Sequence, residues 1–133
     1  MAATLESRTL AAPIDRPLRE VYDFVSRPEN LSKWAAGLGT SIDLVQGEWI
    51  AATPHGSLHV RFTERNDFGV LDHYVTPEAG DEVYIPMRVI ANGRGSEIHF
   101  TLFHHAGMSD EQFVTDAALV ERDLATLKRL LEA

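Results

Sequence analysis

The chain has no cysteine. Disulfides, thiolate metal sites and thiol nucleophiles are excluded together, and the composition fits a reducing cytoplasm. Basic side chains are also scarce: 12 Lys and Arg stand against 20 Asp and Glu, a formal charge of −8. With no basic run to offset that sign, a phosphate backbone would be repelled, so nucleic acid is not an expected partner. Long apolar runs are missing too. No stretch approaches the roughly 20 residues a membrane span needs. The opening MAATLESRTLAAPIDR lacks the basic and then apolar regions of a secretory signal. A soluble, cytoplasmic protein is the expectation.

The sequence further lacks internal repeats, low-complexity linkers, a Gly-x-Ser-x-Gly elbow, a Walker loop, a His-Glu-x-x-His pair and an EF-hand loop. Gly37-Leu38-Gly39 is only a fragment of a dinucleotide fingerprint, with no strand before it. His55 and His59 are four apart, but on a turn and strand that spacing does not converge. His104 and His105 are adjacent on a strand and point to opposite faces. A zinc site needs three convergent ligands, so no metal and no cofactor is expected.

What is present is a chain of 133 residues, the length of one domain, with 44% apolar and 24% charged residues. That balance supports a globular core without staples. Residues 4–13 have the composition of a first strand. Asp15 is placed to cap a helix with Pro17 in its first turn, and Leu18, Val21, Tyr22 and Val25 follow at helical spacing. Ser26-Arg27-Pro28-Glu29 then reads as a second capping box. It opens a short helix with Leu31, Trp34, Ala35 and Leu38 on its apolar side, ended by Gly37 and Gly39.

From residue 40 to 105 the hydrophobic period becomes two. Turn signals at Gly47-Glu48, Pro54-His55-Gly56, 66–69, 77–81 and Asn92-Gly93 separate six strands, the fifth running unbroken through EVYIPMRVI (82–90). With the first strand this makes seven. Ser109 to Gln112 is a further capping box. Phe113, Ala117, Val120, Leu124, Leu127 and Leu131 form one stripe on a helix of about 35 Å. Asp110 and Glu111 at its start and Lys128 and Arg129 near its end suit the helix dipole. The implied class is α+β, a meander of twisted strands curled over a long helix.

The stretches VYDFVSRPENLSKWAAGL (21–38), LDHYVTP (71–77), PMRVIANGRGSEIHFTLF (86–103) and DAALVERDLATLKRLLE (116–132) resemble the START-like, or SRPBCC, superfamily. They look like its bacterial branch labelled polyketide cyclase or dehydrase. The resemblance covers nearly the whole chain and implies a single START-like domain over 1–133. It implies the helix-grip fold: a curved seven-stranded antiparallel sheet wrapped around a long C-terminal helix, with two short helices between strands 1 and 2. It also implies a cavity between sheet and helix for a small hydrophobic or aromatic molecule. That molecule is the expected partner, with a homodimer left open. The fold hosts carriers as well as enzymes, and no motif here carries catalytic residues over.

Cross-strand pairing assigns the faces, because opposed residues share one. Val83, Ile85, Met87 and Val89 go with Ile98, Phe100, Leu102 and His104; Trp49 and Ala51 with Ile42 and Leu44. Leu58, Val60 and Phe62 face the same way, as do Leu71, His73 and Val75. The expected ligand-binding residues are Trp49, Phe62, His73, Met87, Phe100, His104 and Phe113, with Trp34 at the rim. The first expectation is a binding protein for an apolar or aromatic ligand. The alternative is a cyclase- or dehydrase-like enzyme in which His73 or His104 carries a proton. No inward Asp or Glu is evident to orient either ring.

Overall fold

A computed structural model describes residues 3–36, 41–54 and 56–133. The expected helix end at Gly37 to Gly39, the start of the second strand at Thr40 and His55 in its turn lie outside the described residues. Element order along the chain is β1 (Ser7–Ile14), α1 (Leu18–Val25), a 3₁₀ turn (Pro28–Asn30), α2 (Leu31–Trp34), β2 (Ser41–Val45), β3 (Glu48–Thr53), β4 (Gly56–Phe62), β5 (His73–Pro77), β6 (Val83–Ile85), β7 (Met87–Asn92), β8 (Gly95–Phe103) and α3 (Asp110–Glu132).

The described strands form two antiparallel sheets, β1-β8-β7 and β2-β3-β4-β5-β6, where the sequence suggests one sheet of seven. The difference originates at Pro86, which divides the expected fifth strand into β6 and β7. β7 pairs with β8 through Met87 opposite Phe100. Continued by one position, that register brings Pro86 opposite Thr101, whose N–H donates to the Pro86 carbonyl at 3.0 Å. Proline has no N–H to return, and β6 is not bonded to β8 beyond it. β6 instead pairs with β5, His73 lying opposite Ile85. The same register reappears three residues along, where Val70 bridges Arg88. The two sheets therefore meet at one short seam, reinforced by Leu71 N–H to Met87 O at 2.8 Å and Val89 N–H to Gly69 O at 2.9 Å. Gly69 is required there: a Cβ on it would lie 2.2 Å from the Val89 carbonyl oxygen.

The face assignments otherwise agree with the pairing. Trp49 opposes Leu44 and Val60, Ala51 opposes Ile42 and Leu58, and Phe62 opposes His73. The first hairpin turns on Gln46 and Gly47, both at positive φ, one residue earlier than Gly47-Glu48. The Asn92–Gly95 pair centres the last hairpin on Gly93-Arg94.

Two of the three expected caps are built differently. α1 starts after Pro17 without a side-chain cap, and the Asp15 N–H goes to Glu132 Oε2 at 2.8 Å. At the corner after α1, Arg27 occupies the cap position without a side-chain bond, and Pro28 is in the first turn. Buried Asn30 holds the bend instead, donating from Nδ2 to the Phe24 carbonyl at 2.9 Å. Ser109 does cap α3, accepting the Gln112 N–H at 3.0 Å.

α3 buries Phe113, Ala117, Val120, Leu124 and Leu127, five of the six residues of the stripe its spacing predicts, with Leu131 half-buried. Lys128 Nζ donates to the Pro13 carbonyl at 2.7 Å, fastening the end of the helix to the end of β1. Asp123 Oδ1 accepts the Ala36 N–H at 3.2 Å, tying α3 to the residues after α2. Val21, Tyr22 and Val25 of α1 join the same core as Met87, Val89 and Ile98. No helix of the described residues is long and apolar enough to cross a membrane.

Candidate functional site

Where β6 leaves β8, a cleft of about 250 Å³ opens between the strands, α2 and α3. Val83 and Ile85 line one side, and Phe100 and Leu102 the other. A continuous β6–β8 ladder would have paired Ile85 with Leu102. His73 and Val75 of β5 form the floor, and Leu31, Trp34 and Ala35 close it from the α2 side. The α3 wall consists of Asp116, Leu119, Val120 and Asp123. Mostly apolar walls with a few polar groups are the usual chemistry of a small-molecule site.

His73 is the polar centre of this wall. It is 2% exposed, stacked on Phe62 with centroids 4.8 Å apart and edge-on to Phe100 at 6.1 Å. Its Nδ1 lies 3.1 Å from the Leu71 carbonyl oxygen, which can only accept. The proton is thereby placed on Nδ1, leaving Nε2 a lone-pair acceptor with no hydrogen bond among the described residues. Burial pushes the ring below its ordinary value, against the opposing effects of the Leu71 carbonyl and the Asp72 charge. The ring is therefore neutral at pH 7.

Asp72, the nearest carboxylate in sequence, faces away. Its Oδ1 accepts the Met87 N–H at 2.8 Å, and its Oδ2 accepts from Arg88 at 2.9 Å and Tyr84 Oη at 3.1 Å. Burial alone would raise this carboxyl, but the Met87 N–H, Arg88 and Tyr84 outweigh it and hold Asp72 below its ordinary value. Asp72 satisfies the Met87 N–H at the seam between the sheets, and it does not orient His73.

The carboxylates of the cleft come from α3, which the strand arithmetic did not reach. Asp116 and Asp123 stand two turns apart on the half-buried flank of the helix, beside its apolar stripe. Gln112 Nε2 donates to Asp116 at 2.7 Å. Burial raises the Asp123 carboxyl despite its bond from the Ala36 N–H and the charge of Arg122. None of the residues lining the cleft is Lys or Arg.

Of the eight expected binding residues, Trp34, His73 and Phe100 line this cleft. Trp34 is an inner wall rather than a rim, at 3% exposure, and its indole Nε1 is buried with no hydrogen-bond partner among the described residues. Phe62 stands behind His73 as its stacking partner. Met87 is 0% exposed, within the core and off the cleft wall. His104 and Phe113 stack on each other at 4.8 Å away from it. Both His104 nitrogens face acceptors, Nδ1 the Glu6 carboxylate at 3.1 Å and Nε2 the Met108 carbonyl at 2.7 Å. Only the protonated ring can donate to both, so the Met108 carbonyl, then Glu6, raises this histidine above its ordinary value. His73 and His104 do not share a site.

Trp49 and Phe62 border a larger groove of about 590 Å³ across β3, β4 and β5. Among its charged groups Glu48, His59, Arg61 and Glu82 already have partners. His59 meets Glu48 at 3.2 Å, Arg61 meets Glu82 at 3.2 Å, and the Arg61 guanidinium lies 4.4 Å from the Tyr74 ring centroid. Size favours this groove, but the unpartnered polar atoms and apolar walls favour the smaller cleft. Among the described residues no three His, Cys, Asp or Glu side chains are grouped to hold a metal ion.

Neither a family model nor a curated protein sequence matches the chain. Solved structures do. XoxI from Bacillus cereus is 16% identical, with 96% of both chains covered and a TM-score of 0.73. Ara h 8.0201 is 14% identical over 96% of this chain and 97% of its own, with a TM-score of 0.69. CalU16 from Micromonospora echinospora is 18% identical over 94% of this chain and 73% of its own, with a TM-score of 0.64. At such identities the likeness shows the fold alone, and that fold is consistent with the START-type arrangement implied by the sequence.

Proposed function

We propose that the protein is a binding protein for a small apolar or aromatic molecule, held in the cleft between α2, α3 and the strands β5, β6 and β8. The observation that carries this reading is an apolar cleft of about 250 Å³ with the neutral Nε2 of His73, unpartnered among the described residues, in its wall. An apolar cavity of about 150 Å³ takes benzene, so this larger cleft, which is open to solvent, has room for a compound of two or three rings. The fold likeness to Ara h 8.0201 and to DynU16, a protein of the dynemicin biosynthetic locus, is compatible with ligand binding.

N-phenyl-1-naphthylamine, an uncharged fluorescent probe, tests the reading. Saturable one-to-one binding is expected in the wild type, weakened at least tenfold by Leu119→Trp, which fills the cleft from the half-buried flank of α3. Unchanged affinity in that variant would contradict it.

A cyclase- or dehydrase-like enzyme is the second reading, favoured by one feature: His73 is held in the tautomer that can accept a proton at Nε2. Against it, no carboxylate orients the ring and His104 is elsewhere. A reaction abolished by His73→Gln with probe affinity retained would support it; turnover unaffected by that change would sink it.

A further inference from the structure

We propose that the cleft selects an uncharged apolar molecule bearing a hydroxyl or N–H donor, which His73 Nε2 accepts, and that it excludes carboxylates. This rests on the reading of the cleft as a ligand site and specifies what enters it.

Two observations converge. His73 offers the wall an acceptor, because its one donor is spent on the Leu71 carbonyl at 3.1 Å. A ligand without a donor would bury that lone pair unpaired, which is costly in an apolar site. The charges present have one sign. Asp116 and Asp123 stand on the α3 flank, no Lys or Arg lines the cleft, and the chain as a whole carries −8. A carboxylate entering there would lose its water without gaining a cation. A fatty-acid type of ligand, which an apolar cleft alone would permit, is thereby disfavoured.

The test is displacement of N-phenyl-1-naphthylamine at pH 7 by three compounds of one shape: 2-naphthol, 2-methylnaphthalene and 2-naphthoate. In the wild type 2-naphthol is expected to bind at least tenfold more tightly than 2-naphthoate. His73→Phe keeps the ring stack and removes the acceptor. It should weaken 2-naphthol about tenfold relative to 2-methylnaphthalene, the size of one hydrogen bond. Naphthoate binding as well as naphthol overturns the proposal, and this comparison needs no variant. So does equal loss, or no loss, of naphthol and methylnaphthalene in His73→Phe. In either case the binding of methylnaphthalene leaves the ligand-site reading standing. If none of the three displaces the probe, both fail.

Discussion

The imidazole of His73 lies face to face with the ring of Phe62, centroids 4.8 Å apart, on the next strand of the same sheet. That stack, with the Leu71 carbonyl on Nδ1, fixes the orientation and the tautomer of the one titratable ring in the cleft wall. A histidine held in this way cannot gain a proton without cost, and a second histidine in the same chain has the opposite bias.

The two should oppose each other in the pH dependence of stability. The folded-state value of His73 is depressed, so its contribution is present above the ordinary value of 6.5 and is lost as pH falls through the folded value. His104 is raised, so its contribution is complete below 6.5 and fades as pH rises through its folded value. Urea midpoints measured from pH 5 to 9 should show His73→Phe flattening the acid side and His104→Gln the alkaline side. The reverse assignment would mean that the hydrogen-bond partners described for the two rings are wrong.

Asp72 supplies the acceptor that the seam between the sheets needs. Asp72→Ala leaves the Met87 N–H buried without a partner and Arg88 without its ion pair, and should cost about 2–4 kcal/mol in urea unfolding. Asp72→Asn keeps an acceptor for Met87 and should cost about half as much. Because the Asp72 carboxyl is held below 3.8, the wild-type advantage over Asn is present above that pH and vanishes on acidification. Equal losses in both variants, independent of pH, would show that Asp72 acts by packing alone.

Pro86 is expected to keep the cleft open. Tyr84 and Phe103 already stand at a centroid distance of 6.4 Å on β6 and β8, the positions a continued ladder would pair. Pro86→Thr restores the missing N–H opposite Thr101. Hydrogen exchange at 84–86 should then slow, and probe affinity should fall several-fold as β6 closes on β8. Faster exchange there, or unaltered affinity, would mean that something other than the proline separates the sheets.

Much of this was legible in the chain. Period-two spacing and the hairpin turns placed Phe62, His73, Ile85, Phe100 and Leu102 on one face, since a side-chain face follows from parity even when a turn shifts by a residue. The 4,3,4,3,4 stripe identified the buried side of α3. Three things were not legible, for different reasons. Pro86 reads as an apolar residue within an apolar strand, so the alternation runs through it; only the missing N–H breaks the sheet. Asp116, Leu119 and Asp123 flank the stripe rather than lie on it, and which flank borders a cleft depends on how the helix sits on the strands. His104 shares the parity of Phe100, but it falls beyond the last residue of β8, where parity no longer gives depth.

The central claim is that a ligand occupies the cleft beside α2 rather than the larger groove across β3 to β5. Trp34 lines the first and Trp49 the second, and they are the only tryptophans in the chain. A titration with N-phenyl-1-naphthylamine, followed by the two indole N–H cross-peaks in a proton–nitrogen correlation spectrum, separates them directly. A saturable shift of the Trp34 indole is expected, with Trp49 unmoved. A shift of Trp49 with Trp34 unmoved would contradict it.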